Sequence, residues 1–182
     1  MRLSERLLAL EEIGQVNAHA ASVVEIQQHV DDARDLLADA SRKSNTLRGR
    51  FGNANSAAHT LLMAGIKMHG YRPTGERGHR YILYELLDAL LPAATGAKAV
   101  LSRAHKLRNR SEYDGDPIDV TQSLVDDLVR AVANVQEEVA LMFKAFNQEH
   151  RRSPTAPGAL ATQGARTPRT PSGKHTIPKR KG

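Results

Sequence analysis

Residues Ser102–Gly115, SRAHKLRNRSEYDG, gather side chains of the kinds from which phosphate chemistry is built. Four cations, Arg103, Lys106, Arg108 and Arg110, surround the imidazole of His105 and the amide of Asn109, and Glu112, Tyr113 and Asp114 follow at once. Arginine and lysine donate charge-assisted hydrogen bonds to phosphate oxygens, arginine through a planar fork. Histidine exchanges its proton near neutral pH and serves as a general acid or base. Arg108 follows His105 by three positions and Arg103 by five, with Ala104 and Leu107 apolar between them. At helical spacing the basic side chains are therefore expected to flank a buried stripe. Helix electrostatics alone favour Arg108 and Arg110, because the last carbonyls of a helix carry partial negative charge. They do not account for Asn109, or for Tyr113 where the chain turns back.

The segments that must hold this stretch read as helices. Residues 3–19 place Leu3, Leu7, Leu10 and Gly14 on one face. Ser22-Val-Val-Glu25 has the form of a capping box, and Val23, Ile26, Val30, Ala33, Leu37 and Ala40 follow at three- and four-residue spacing, predicting a helix that stops near Ser41–Asn45. A third helix is predicted over Thr46–Met68, with Phe51, Ala54, Ala58, Leu61, Leu62 and Gly65 inward. Gly49, Gly52 and Gly65 weaken it but permit close backbone approach. Gly70–Gly78, GYRPTGERG, reads as a loop, and it lacks the Lys-Ser/Thr that a phosphate-cradling P-loop requires.

His79–Leu91 predicts a short helix with Ile82, Leu86, Ala89 and Leu90 inward, and Thr95–Ser111 another with Ala97, Val100, Leu101, Ala104 and Leu107 buried. Tyr81 and Tyr84 read as edge-of-core residues. After the turn YDGDP, Asp119 and Gln122 repeat the capping-box pattern ahead of the longest helix, Val120–Phe146. Nothing in residues 1–150 alternates with strand period. The expected fold is all-α, an up-and-down bundle of four to five helices.

The 182 residues contain 26 Lys and Arg against 20 Asp and Glu, but the charge is unevenly placed. Residues 151–182 hold eight of the bases and no acid, which leaves 18 bases against 20 acids in 1–150. The high net charge thus belongs to the tail, a Pro/Thr/Gly-rich stretch expected to be disordered. Such a tail either solubilises the domain or holds phosphate backbones without sequence preference. There is no cysteine, so disulfides and thiolate metal sites are excluded. The bundle's other histidines, His19, His29, His59, His69 and His79, lack the close spacing of a helical metal pair, and no metal or cofactor is expected. No apolar run approaches a membrane span and the first residues do not form a signal peptide, so a cytoplasmic protein with no membrane partner is expected.

Arg108-Asn109-Arg110-Ser111-Glu112-Tyr113 resembles the signature of the HEPN (higher eukaryotes and prokaryotes nucleotide-binding) superfamily. That signature is an arginine, a polar residue and a histidine about five residues after the arginine. FGNANSAAHTLLMAGIKMHG and GHRYILYELLDALL, over residues 51–91, are similar to the family's second and third helices. The resemblance implies a helical bundle over about Leu3–Phe146 that forms a homodimer, with two motifs facing one cleft. It also implies binding of RNA or nucleotide phosphate, a toxin–antitoxin or defence setting, and an antitoxin or nucleotidyltransferase partner.

In active members the arginine and histidine promote metal-independent RNA cleavage by attack of a ribose 2′-OH on the adjacent phosphate. Carried over by residue, Arg108 and Asn109 match, and Arg103 and Arg110 join them as phosphate-binding candidates. Tyr113 occupies the histidine position, and a phenol of pKa about 10 is a poor base at neutral pH. Arg108, Tyr113 and His105 are the catalytic candidates, His105 as a substitute imidazole one helical turn before Arg108. The alternative is a non-catalytic dimerisation or docking module whose basic tail binds nucleic acid.

Overall fold

The computed structural model describes residues 2–75, 79–110 and 119–152. Six α-helices and one two-stranded ribbon make up the regular structure among them: α1 (Leu3–Glu12), β1 (Val16–Ala18), α2 (Val23–Ser41), α3 (Leu47–Met68), β2 (Tyr71–Pro73), α4 (His79–Leu90), a 3-10 segment (Pro92–Ala97), α5 (Lys98–Asn109) and α6 (Gln122–Arg152). The fold is an all-α bundle. Residues 153–182, most of the basic tail, lie outside the described residues, as do Glu112, Tyr113 and Asp114. Among the described residues no helix is long and apolar enough to cross a membrane.

α3 is the hub, packing against α2, α6, α4, α5 and β2. Its Ala54, Ala57, Ala58, Leu61, Leu62, Ala64 and Ile66 are fully buried. Alanine at so many contact positions keeps the side-chain layer thin and lets neighbouring helices approach closely. α2 contributes Ile26, Ala33 and Ala40, and α6 contributes Val125, Leu128, Val132, Val135 and Val139, all at helical spacing and all buried.

Arg50 interrupts this apolar seam. Only 3 % of it is exposed, and its guanidinium donates to the Ala40 carbonyl (2.7 Å), to Asp126 Oδ1 (3.0 Å) and to Gln122 Oε1 (3.4 Å). One side chain thereby joins the end of α2, the start of α3 and the start of α6. A buried cation is tolerable only when its donors are satisfied in this way.

Four details differ from the pattern in the sequence. The first helix stops at Glu12 instead of reaching residue 19, because Gly14 takes φ 70°, a left-handed conformation that ends a helix. The chain then enters β1, which pairs antiparallel with β2 in the register Val16–Pro73, Asn17–Arg72 and Ala18–Tyr71. Three-residue strands are too short to show alternation, so the ribbon is silent in the sequence and part of GYRPTGERG is strand. The capping boxes are also altered. Ser22 Oγ accepts from the Glu25 N–H (3.1 Å), but the Glu25 carboxylate turns to other partners, and α6 is capped by Thr121, whose Oγ1 accepts from the Leu124 N–H (3.3 Å). Lastly, α6 continues six residues past Phe146, to Arg152.

Of the α3 glycines, Gly49 lies against the capping Thr46 hydroxyl, whereas Gly52 and Gly65 have open space beside them. A Cβ added at Gly52 or at Gly65 would meet nothing within 4 Å beyond the helix's own backbone. Gly65→Ala is expected to raise unfolding free energy by about 0.5–1 kcal/mol in urea denaturation, through helix propensity. Arg50→Ala is expected to lower it by about 2–3 kcal/mol, because the lost hydrogen bonds strand the Ala40 carbonyl and leave a void among three helices.

Candidate nucleic-acid interface

α5 is positioned from its start. Before it, the Glu138 carboxylate of α6 accepts the backbone N–H groups of Ala93 (3.0 Å) and Ala94 (2.7 Å), fixing the 3-10 segment that leads in. In its first turn Lys98 pairs with Asp88 of α4. Leu101 and Ala104 are buried, and Val100 and Leu107 pack at the edge of the core. These contacts set the rotation of the helix, and with it the direction of every polar side chain on it.

That rotation divides the candidate residues. Arg103, Lys106 and Arg110 fall at successive spacings of three and four, and all three are exposed. They form a basic row of about 10.5 Å at 1.5 Å rise per residue. Among the described residues neither Arg103 nor Lys106 takes part in an ion pair. Arg108 continues the inward line of Leu101 and Ala104 instead and is half-buried at the helix end. The four cations therefore do not converge on a single face.

His105 points inward as well. It is 6 % exposed, its ring stacks on Tyr84 of α4 at a centroid distance of 4.4 Å and an interplanar angle of 17°, and Asn109 Nδ2 lies 3.2 Å from its Nε2. An amide nitrogen only donates, so Nε2 accepts and the ring proton resides on Nδ1. In this arrangement His105 and Asn109 are occupied with each other, and the imidazole faces Tyr84 instead of solvent. Tyr84 is 4 % exposed and belongs to the core, whereas Tyr81 is 57 % exposed. Tyr113, the third catalytic candidate, lies outside the described residues, so its distance from Arg108 does not enter the geometry. Among the described residues no three of His, Asp and Glu come together closely enough to hold a metal ion.

Two polar groups were not singled out by sequence reasoning. Arg50 sits one position before Phe51 and looks like an exposed flank of that helix. The other group joins His19, Glu25, His29 and Lys67: Lys67 Nζ reaches Glu25 Oε1 at 2.6 Å and His29 Nε2 at 2.9 Å, and His19 Nε2 lies 3.0 Å from Glu25 Oε1. Glu25 and His29, one helical turn apart, were the visible half of it, but Lys67 comes from another helix with no linking signal.

No family model matches this chain, and no curated protein sequence matches it.

A packing role for His105 has a measurable consequence. His105→Ala is expected to lower unfolding free energy by about 2 kcal/mol, from the lost ring stack and the lost amide bond. Chemical denaturation of the two proteins at neutral pH measures it, and an unchanged midpoint would mean that the ring carries no structural load.

Proposed function

We propose that this protein is a HEPN-like RNA-binding bundle that grips the phosphate backbone through the outward face of α5, with Arg108 beside it at the helix end. The observation that carries the reading is the exposed row of Arg103, Lys106 and Arg110. Their spacing suits consecutive phosphates, and the helix bearing them is fixed by α4 and α6. In this reading the protein acts as a homodimer in a toxin–antitoxin or defence setting, within the cytoplasm, with an antitoxin or nucleotidyltransferase as its protein partner. Binding takes precedence over cleavage. The inward packing of His105 favours the non-catalytic version, because it withdraws the one imidazole of the motif helix from solvent. Cleavage, if the protein performs it, rests on Arg108 and Tyr113.

Salt dependence of RNA affinity tests the row directly. Each phosphate contact to a single strand contributes about 0.7 to the slope of log K against log salt, so replacing Arg103, Lys106 and Arg110 by Gln should reduce the slope by about 2. Removing residues 153–182 should leave this difference intact. If the truncated protein loses all affinity, binding belongs to the tail and the interface on α5 is wrong. Cleavage is read separately, from 2′,3′-cyclic phosphate ends that Arg108→Ala abolishes and Tyr113→His increases.

A further inference from the structure

A second set of ionisable side chains lies where α2 begins and α3 ends, and the proposed RNA interface does not use it. Lys67 is deep in this set, its side chain 12 % exposed, and donates to both Glu25 and His29. Glu25 also holds His19, the residue that follows β1. The His19 N–H donates to the Gly70 carbonyl at 2.7 Å, and the Gly70 N–H returns to the Lys67 carbonyl at 3.0 Å. The four side chains thus tie the first turn of α2 and the last turn of α3 to the ribbon of β1 and β2. Gly70, at φ 83°, makes the sharp exit from α3 that brings the two strands together.

We propose that the Lys67–His29 contact is a proton-sensitive latch that holds the β1–β2 ribbon on the end of the α2–α3 pair at neutral pH and loosens it in mild acid. An ammonium has protons and no lone pair, so the 2.9 Å contact exists only while His29 offers the lone pair of an uncharged ring. Protonation of Nε2 removes that acceptor and sets two cations against each other in a partly buried site. Lys67 is then pushed off His29, and the turn that its carbonyl anchors loses its support.

The charges acting on His29 are Lys67 from α3 and Glu25 and Asp32 from its own helix. Burial first, and then Lys67, hold the imidazole below its ordinary pKa, and the two carboxylates oppose them. Its stabilising contribution is therefore complete above the unfolded-state value and is lost as the pH falls through that value toward the folded one. Glu25 does not titrate in this window. Its hydrogen bond to Lys67, aided by His19, holds it at about 2, so it remains an anion through the transition. His69, which caps α3, is also lowered by burial and shifts stability in the same direction, so the two rings must be separated by substitution.

Amide hydrogen exchange of the full chain reads the latch locally. After correction for intrinsic rates, the opening equilibrium at the His19 and Gly70 amides should rise several-fold between roughly pH 7.5 and pH 5.5. In His29→Gln, whose amide oxygen accepts from Lys67 but does not titrate, the rise should vanish, while His69→Gln should keep it. An equal rise in His29→Gln, or none in the wild type, overturns the proposal. Should His29→Gln fail to fold, the NMR titration of His29 decides. Lys67→Met must move its midpoint upward, and an unmoved midpoint rejects the latch.

Discussion

The buried guanidinium of Arg50 sets the terms for the bundle. A cation that is removed from water must find fixed oxygen partners, and here they come from the α2 terminus and from two residues of the first turns of α6. The three helices are thereby brought to one point, and the alanine-rich surfaces of α2 and α3 can pack from there without a bulky layer between them. Gln122 strengthens the arrangement by also donating to Asp126 (2.7 Å), which aims the carboxylate at Arg50. Thr121 caps α6 just before these residues, so the start of the longest helix and the partner of Arg50 are defined together.

The opposite end of α3 is pinned by chemistry of another kind. Arg50 contributes hydrogen-bond donors only, whereas the Lys67 cluster includes a histidine whose acceptor role depends on being neutral. The two ends of one helix therefore differ in their sensitivity to protons. The stable end carries the junction of α2, α3 and α6, and the sensitive end carries the short ribbon. A ribbon of three-residue strands has little stability of its own and depends on what it is docked against.

α5 shows how one short helix serves two purposes. Its inward side is committed to structure, through Leu101, Ala104 and the stacked pair of His105 and Tyr84. Its outward side carries Arg103, Lys106 and Arg110, all three exposed to solvent. A charged row is useful for recognition only if its backbone is held still, and the bonds from Glu138 and the Lys98–Asp88 pair do that from the first turn. The consequence is a division within the motif. Arg103, Lys106 and Arg110 share the solvent face, while Arg108, His105 and Asn109 do not join them there.

The sequence by itself determined the helices and their inward faces, because period-3.6 apolar spacing is a local property that survives in any bundle. Phe51, Leu61, Leu62, Leu86 and Leu101 were legible as core for that reason, as was Ser22 as a cap. The ribbon was not legible, since strands of three residues are stabilised by a partner more than fifty positions away and not by their own pattern. The burial of Arg50, the reach of Lys67 to His29, and the choice of which cations on α5 face water were likewise decided by tertiary structure alone. Each depends on the rotation of one helix against another, and that rotation is set by the sum of contacts across the whole core, to which a few residues of local sequence contribute only a part.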